Sequence, residues 1–382
     1  MRVVLSTIGK FHSFDLARQL HGRGVLGAIF SGYPWFKLKN ESLPRKSVKT
    51  FPYLHTPYMR LTPRSRPIQQ FWEWQDSLWF DRYVTGRLPE CDVFCGLAGS
   101  ALNSGRLAKS RQAKYICDRG SSHIRVQDSI LREEYGRQGI YFPGIDPRVI
   151  RRNEAEYDAA DYITVPSTFA LDTYVTSGVD RRKMKLASYG VDLGSFFPCV
   201  PKSEDRFDVL FVGSVTVRKG VRYLLDGFKN LQCKNKHLTL VGSVSSELES
   251  TIKQIRGDEQ ISFLGHVQQP RLREIMSKSH VMVLPSVEEG LALVQAQAMA
   301  CGCPVIASEN TGARDLFTDG VEGFIVPIRD ADAIADRLQK VADSPGLRLR
   351  MREAALRRVK SVGGWDQYGE RMFQIFSEAV QS

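Results

Sequence analysis

Pro285-Ser286-Val287-Glu288-Glu289-Gly290-Leu291-Ala292-Leu293-Val294-Gln295-Ala296-Gln297-Ala298-Met299-Ala300-Cys301-Gly302-Cys303-Pro304-Val305-Ile306 reads as one strand-to-strand crossover. The apolar run ending at Leu284 predicts a strand, and Glu288-Glu289 a loop. The small apolar residues from about Gly290 to Cys301 predict a helix that Gly302 stops, and Val305-Ile306 opens the next strand. Two strands joined by a helix have to run parallel, and a strand buried on both faces reads as such a short apolar run. The predicted helix starts with free N–H groups and a positive dipole end, which suit a phosphate or sugar hydroxyls. Glu289 and Gln297 are eight residues apart, about 12 Å along a helix. A carboxylate at the helix mouth can accept hydrogen bonds from sugar hydroxyls and fix the ring. Taken alone, Glu289 is better explained by charge–dipole stabilisation of the first turn.

Outward from this unit the alternation continues along nearly the whole chain. Strands are expected near 2–6, 25–30, 92–96, 114–118, 162–166 and 184–188. A second series is expected near 208–213, 238–242, 261–264, 280–284, 304–308 and 324–326. Two such series in 382 residues predict an α/β chain of two Rossmann-like, doubly wound domains facing across a cleft. The pattern breaks at Phe196-Phe197-Pro198-Cys199-Val200-Pro201. The first domain is therefore assigned to 1–198 and the second to 199–364, with a closing helix over 365–382.

A net charge of +11 points to an anionic partner. Seven cysteines, an odd number, argue for reduced thiols in a cytoplasmic protein. No apolar run approaches the roughly 20 residues of a spanning helix, and the first residues do not read as a signal peptide. Residues 36–70 carry eight Lys/Arg against Glu41 alone, with five prolines and flanking tryptophans. They read either as a solvated insertion followed by a core-packing helix, or as a basic aromatic surface for anionic lipid or a phosphate-bearing acceptor. Gly22, Gly24 and Gly27 spell a dinucleotide fingerprint in the wrong order, after a helix and before a strand, so a helix stop explains them better. Ser13 is expected to cap the first helix, and Asp330-Ala331-Asp332 to cap a later one rather than bind metal.

A second functional stretch is Phe211-Val212-Gly213-Ser214-Val215-Thr216-Val217-Arg218-Lys219-Gly220-Val221. A glycine turn after a strand lets a diphosphate approach the backbone. Lys219 supplies charge where a leaving group gains it, and Arg218 can add bidentate contact.

Together the two stretches resemble the donor site of the family 4 retaining glycosyltransferases, which have the two-Rossmann GT-B fold. Glu289 matches the family's first acid, and Gln297 stands where its second acid is expected to hold the ribose. Lys219-Gly220 matches its Lys-Gly, while Ser214 occupies a position that is often Arg. Ser188-Tyr189-Gly190-Val191-Asp192, Phe263-Leu264-Gly265-His266-Val267 and Asp319-Gly320-Val321-Glu322-Gly323-Phe324 extend the likeness. It is dense over about 160–382 and thin before.

The resemblance implies a hexosyltransferase-like enzyme that needs no cofactor and no metal and takes a nucleotide-diphosphate-sugar as donor. Lys219, Arg218, Glu289 and His123 are its implied catalytic group. Gly9, Gly213, Ser214, His266, Val267, Ser286, Gly290, Leu291, Ala292 and Gln297 are its implied donor contacts. The acceptor is expected to be a hydroxyl of a glycan or a lipid-linked molecule in surface or exopolysaccharide synthesis. Residues 36–80 are expected to touch an anionic membrane, at the inner face of the cell membrane. A catalytically degenerate nucleotide-sugar binder is the alternative, and nucleic acid is not an expected partner.

Overall fold

The computed structural model describes residues 1–60 and 66–382. Its first sheet holds β1 (Val3–Thr7), β2 (Leu26–Ser31), β3 (Val48–Thr50), β4 (Val93–Leu97), β5 (Lys114–Asp118), β6 (Tyr162–Val165) and β7 (Met184–Leu186). The second holds β8 (Phe207–Val212), β9 (Lys236–Val241), β10 (Ile261–Gly265), β11 (Val281–Leu284), β12 (Val305–Ser308) and β13 (Gly323–Val326). The orders are β3-β2-β1-β4-β5-β6-β7 and β10-β9-β8-β11-β12-β13, and every strand pair is parallel. In each sheet the first strand lies inside and the winding reverses beside it, between β1 and β4 and between β8 and β11. The loops leaving the carboxyl ends of those strands splay apart there and open a crevice. The protein has the GT-B fold: two Rossmann-like domains whose crevices face each other.

The strands are apolar because both faces are covered. Along β1, Val3 and Leu5 join the cluster on one face and Val4 the cluster on the other, as the two-residue period of a strand requires. The second domain's core and one face of the first domain form a single cluster. The helix Trp365–Gln381 helps to join them. It buries Tyr368, Met372 and Phe376 and packs on the helix Ser13–Gly22, where Gly369 lies against Gln19. Arg371 Nη2 also donates to the Ser188 carbonyl at 2.6 Å.

Three local expectations are corrected. The segment 36–70 is not simply an insertion, for it contains β3 and the helix Pro52–Arg60, with Pro57 inside it. It then leads into the helix Arg66–Thr85, while 61–65 lie outside the described residues. Strand β3 escaped notice because it is a three-residue edge strand with only Val48 fully buried. Ser13 is the first helical residue rather than the cap, and His12 occupies the capping position without a side-chain capping bond, its ring pairing with Asp118 instead. The helix after Pro285 spans Leu293–Ala300 only, so Gly290, Leu291 and Ala292 form its approach and the 12 Å spacing along a helix does not apply. Two other expectations hold: Asp330 accepts from the Ala333 N–H at 2.7 Å as a cap. Gly24, at φ 72°, ends the first helix by donating to the His21 carbonyl at 2.9 Å.

Candidate functional site

Strand β8 delivers the turn 213–220 and β11 delivers the loop 285–292, and adjacent parallel strands bring the two side by side. Their backbones are tied: the Val287 N–H donates to the Arg218 carbonyl at 2.9 Å. Gly220 sits at φ 65° against the Pro285 carbonyl, which a Cβ there would meet at 2.0 Å. Only glycine permits both the left-handed conformation and that approach.

This contact sets Arg218 and Lys219 over Glu289. Arg218 Nη1 lies 2.9 Å from Glu289 Oε1, and Lys219 Nζ pairs with the same oxygen. The Glu289 N–H is held by the Asn310 carbonyl at 3.0 Å. Burial opposes the charge of Arg218, but Glu289 and Glu288 overcome it and raise its pKa above the ordinary arginine value. Two cations and one carboxylate thus converge, mostly shielded from water, at the floor of the cleft. Such a cluster can exchange its internal pairing for an anionic group and sugar hydroxyls.

The remaining expected residues fall at varied distances from this centre. Gly213 ends β8 at φ 148° and Ser214 beside it is exposed. Leu291 and Ala292 are buried, and Gln297 is half-buried on the helix Leu293–Ala300. Ser286 is completely buried, with its carbonyl accepting from Ser308 Oγ. His266 is exposed after β10, and Val267 packs against the core. Gly9 lies buried in the turn after β1, where its carbonyl accepts from Ser31 Oγ at 3.2 Å.

His123 sits at the start of a helix in the first domain. It is 4% exposed, and its Nδ1 accepts from the Arg125 N–H at 3.4 Å as the cap of the helix Ile124–Arg137. Its ring centroid lies 5.3 Å from that of Tyr157 and 5.2 Å from that of Tyr174. Burial lowers its pKa, Glu154 works against this, and Arg119 and Arg125 lower it further. In this structure it is a buried histidine whose ring nitrogen caps a helix.

Sequence reasoning missed the residues that join the domains across the cleft. Glu288 is fully buried. Its Oε1 accepts from Ser121 Oγ at 2.5 Å, Ser122 Oγ at 2.7 Å and the Ser122 N–H at 3.2 Å. Its Oε2 accepts from Gln127 Nε2 at 3.0 Å. Burial alone would raise its pKa, but Arg218 and these hydrogen bonds bring it below the ordinary carboxylate value. Glu247 makes a second crossing, accepting from Tyr135 Oη at 2.7 Å and from the Val217 N–H at 2.9 Å. Between the crossings lies a cavity of about 440 Å³ lined from both domains, with Arg119, Gln127, Leu131, Thr216, Arg218 and Glu247 in its wall. The doubled acid Glu288-Glu289 was the available signal, but spacing could not say which one turns toward the other domain.

Comparison with known proteins agrees with this geometry. Residues 196–358 match the family described as glycosyl transferases group 1. An uncharacterized glycosyltransferase of Methanocaldococcus jannaschii is 26% identical over 70% of this chain and 72% of its own. A D-inositol 3-phosphate glycosyltransferase of Xylanimonas cellulosilytica is 29% identical over 53% of each chain. Among solved structures, sucrose-phosphate synthase from Thermosynechococcus elongatus has a TM-score of 0.76 at 20% identity, covering 99% of this chain and 98% of its own. HepE of Anabaena, in complex with UDP, has a TM-score of 0.73 at 15% identity, covering 99% and 100%. Among the described residues no helix is long and apolar enough to cross a membrane. With that fold, a family match over residues 196–358 and a cationic pair on the loop that follows β8, set over Glu289 on the loop that follows β11, the chain is similar to the group 1 glycosyltransferases of GT-B fold.

Proposed function

We propose that the enzyme transfers a sugar, with retention, from a nucleotide-diphosphate-sugar to a hydroxyl of a glycan or lipid-linked acceptor in surface-polysaccharide assembly. The observation that carries this reading is the convergence of Arg218 and Lys219 on Glu289. On donor binding the two cations turn to the diphosphate and neutralise the charge that grows as the glycosidic bond breaks. Glu289 is released from them to accept hydrogen bonds from the sugar and hold its ring. No cofactor or metal enters this scheme; the charge compensation a metal would give falls to Arg218 and Lys219. The UDP complexes of HepE support a nucleotide sugar as donor, and the 440 Å³ cavity beside Arg218 is large enough for an acceptor sugar.

The surface of the first domain supports a membrane-bound acceptor. Along the helix Arg66–Thr85, Asp76, Phe80 and Val84 face inward, whereas Ile68, Phe71, Trp72 and Trp79 are 41–50% exposed. Tyr53 and Met59 of the neighbouring helix are also exposed. Lys37, Lys39, Arg45, Lys46 and Lys49 add exposed positive charge. Apolar rings flanked by cations suit the inner face of an anionic bilayer.

Thermal-shift screening against UDP-, GDP- and ADP-sugars should reveal one stabilising nucleotide. With that donor, Lys219→Ala should lower kcat by roughly 10²–10³, the scale for removing one donor from a developing negative charge. Turnover near the wild-type rate in that variant would refute the assignment.

A further inference from the structure

The carboxylate of Glu288 has an unusual set of partners for a residue on the donor-binding loop. Ser121, Ser122 and Gln127, which supply four of its hydrogen bonds, all belong to the opposite domain. Every one of them presents a donor, and a carboxylate is the side chain that can only accept. The orientation of Gln127 is itself fixed. Its Oε1 accepts from Arg119 Nη2 at 2.8 Å, so its Nε2 is left to face Glu288 and Ser121.

The other side of Glu288 belongs to the donor site. Its carbonyl accepts from Arg218 Nη1 at 2.8 Å, and its Oε2 lies 3.5 Å from the same nitrogen. Immediately beyond, Gly290 approaches so closely that a Cβ on it would meet the Gly120 carbonyl at 2.0 Å. The turn 119–127 of the first domain therefore rests directly on the loop 288–290 of the second, with one buried acid between them.

We infer that Glu288 is a positioning residue: its carboxylate clasps the first domain to the donor loop and, through the same contacts, presents Arg218 toward the cleft. The inference rests on the proposed role of Arg218 for its catalytic consequence, but not for the clasp itself. Opening the cleft separates Glu288 from Ser121, Ser122 and Gln127 together, and Arg218 then loses the neighbour that orients it. Glu288→Gln keeps the shape but sets an NH₂ group among donors. Gln127 cannot answer by flipping, because Arg119 holds its oxygen.

The test uses Glu288→Gln, the pair Ser121→Ala/Ser122→Ala made from the other side, and the three changes combined. Hydrogen exchange is followed without donor. Transfer is followed with whichever of UDP-glucose, GDP-mannose and ADP-glucose the wild type turns over. In each of the first two proteins, exchange should rise about ten-fold or more over 119–127 and 286–291, with β5 and β11 still protected. That is the scale of one or two charge-assisted hydrogen bonds. Both should lose a similar factor in kcat, and the combined protein should lose no more than either, as parts of one unit do.

Unchanged exchange in both segments overturns the clasp, as does a general loss of protection that includes the strands. Wild-type transfer in the serine pair beside a defective Glu288→Gln also overturns it, because Glu288 would then act only within its own domain. A clasp visible by exchange in a wild-type protein that turns over none of the three donors would instead count against the donor reading.

Discussion

At the scale of single residues, the lysine of the proposed donor site was legible as a candidate, and the groups around it less so. Lys219 stands out because a basic residue before glycine, after a strand, has few structural reasons to exist. Glu288 carries no such mark, for a buried carboxylate is intelligible only when the donors facing it are known, and its donors are more than 160 positions away. His123 was legible as a histidine after β5, but its packing against Tyr157 and Tyr174 was not.

His280 illustrates a residue whose environment makes a measurable difference. Its Nδ1 accepts from the Asp208 N–H at 3.0 Å, and its Nε2 donates to the Ser203 carbonyl at 2.9 Å. Protonation would destroy the first of these bonds. Burial, with the charges of Lys202 and Arg348, lowers its pKa to about 4. Because the folded protein takes up this proton less readily than the unfolded chain, the contribution is present above pH of about 6.5 and is lost as pH falls toward 4. Denaturant titrations should show wild type losing up to about 3 kcal/mol more than His280→Gln across that window.

At the scale of elements, alternation foretold twelve of the thirteen strands, since a parallel strand buried on both faces leaves a plain apolar run. Boundaries were harder. The helix after the loop 285–292 starts three residues later than its small apolar residues suggested, because Gly290-Leu291-Ala292 is tied to Thr311 and Ser167 instead. The Ala292 N–H donates to the Thr311 carbonyl at 3.4 Å, and the Gly290 carbonyl accepts from Ser167 Oγ at 2.5 Å.

Two changes probe this element. Gly290→Ala places a methyl group against the Gly120 backbone, which has no flexible end to move aside. Transfer should fall by about 100-fold or more, with each domain's own melting little altered, as calorimetry would show. Gln297→Glu restores a charged acceptor on the helix Leu293–Ala300. Donor affinity measured by calorimetry should rise by about ten-fold, the gain from a neutral to a charge-assisted hydrogen bond. An unchanged affinity would place the ribose elsewhere.

At the scale of the whole molecule, the sequence pattern implied two domains but not how they meet. On the cleft side their junction is polar and assembled from single residues scattered along the chain, so no periodicity announces it. Glu134 is an example: buried on the first domain, it takes Tyr223 Oη at 3.0 Å and Arg329 Nε at 2.7 Å from the second. The outward face of the first domain was half legible. Basic composition pointed to it, but only the helix Arg66–Thr85 shows which aromatic rings line one side. Sedimentation with vesicles of phosphatidylglycerol and phosphatidylcholine should capture the protein, and Phe71→Ser/Trp72→Ser should reduce capture by roughly ten-fold or more, given the apolar area removed. Equal capture by vesicles of phosphatidylcholine alone would argue against the role of the lysines.

The acid that bridges the cleft also bears on how such enzymes diverge. Half of its binding set is written in each domain, so the two halves of the chain are not interchangeable parts. A hybrid that takes its acceptor half from a relative would have to import Ser121, Ser122, Gln127 and Arg119 as a block, or give up Glu288. Recombination between cousins should therefore succeed chiefly where both parents share that quartet.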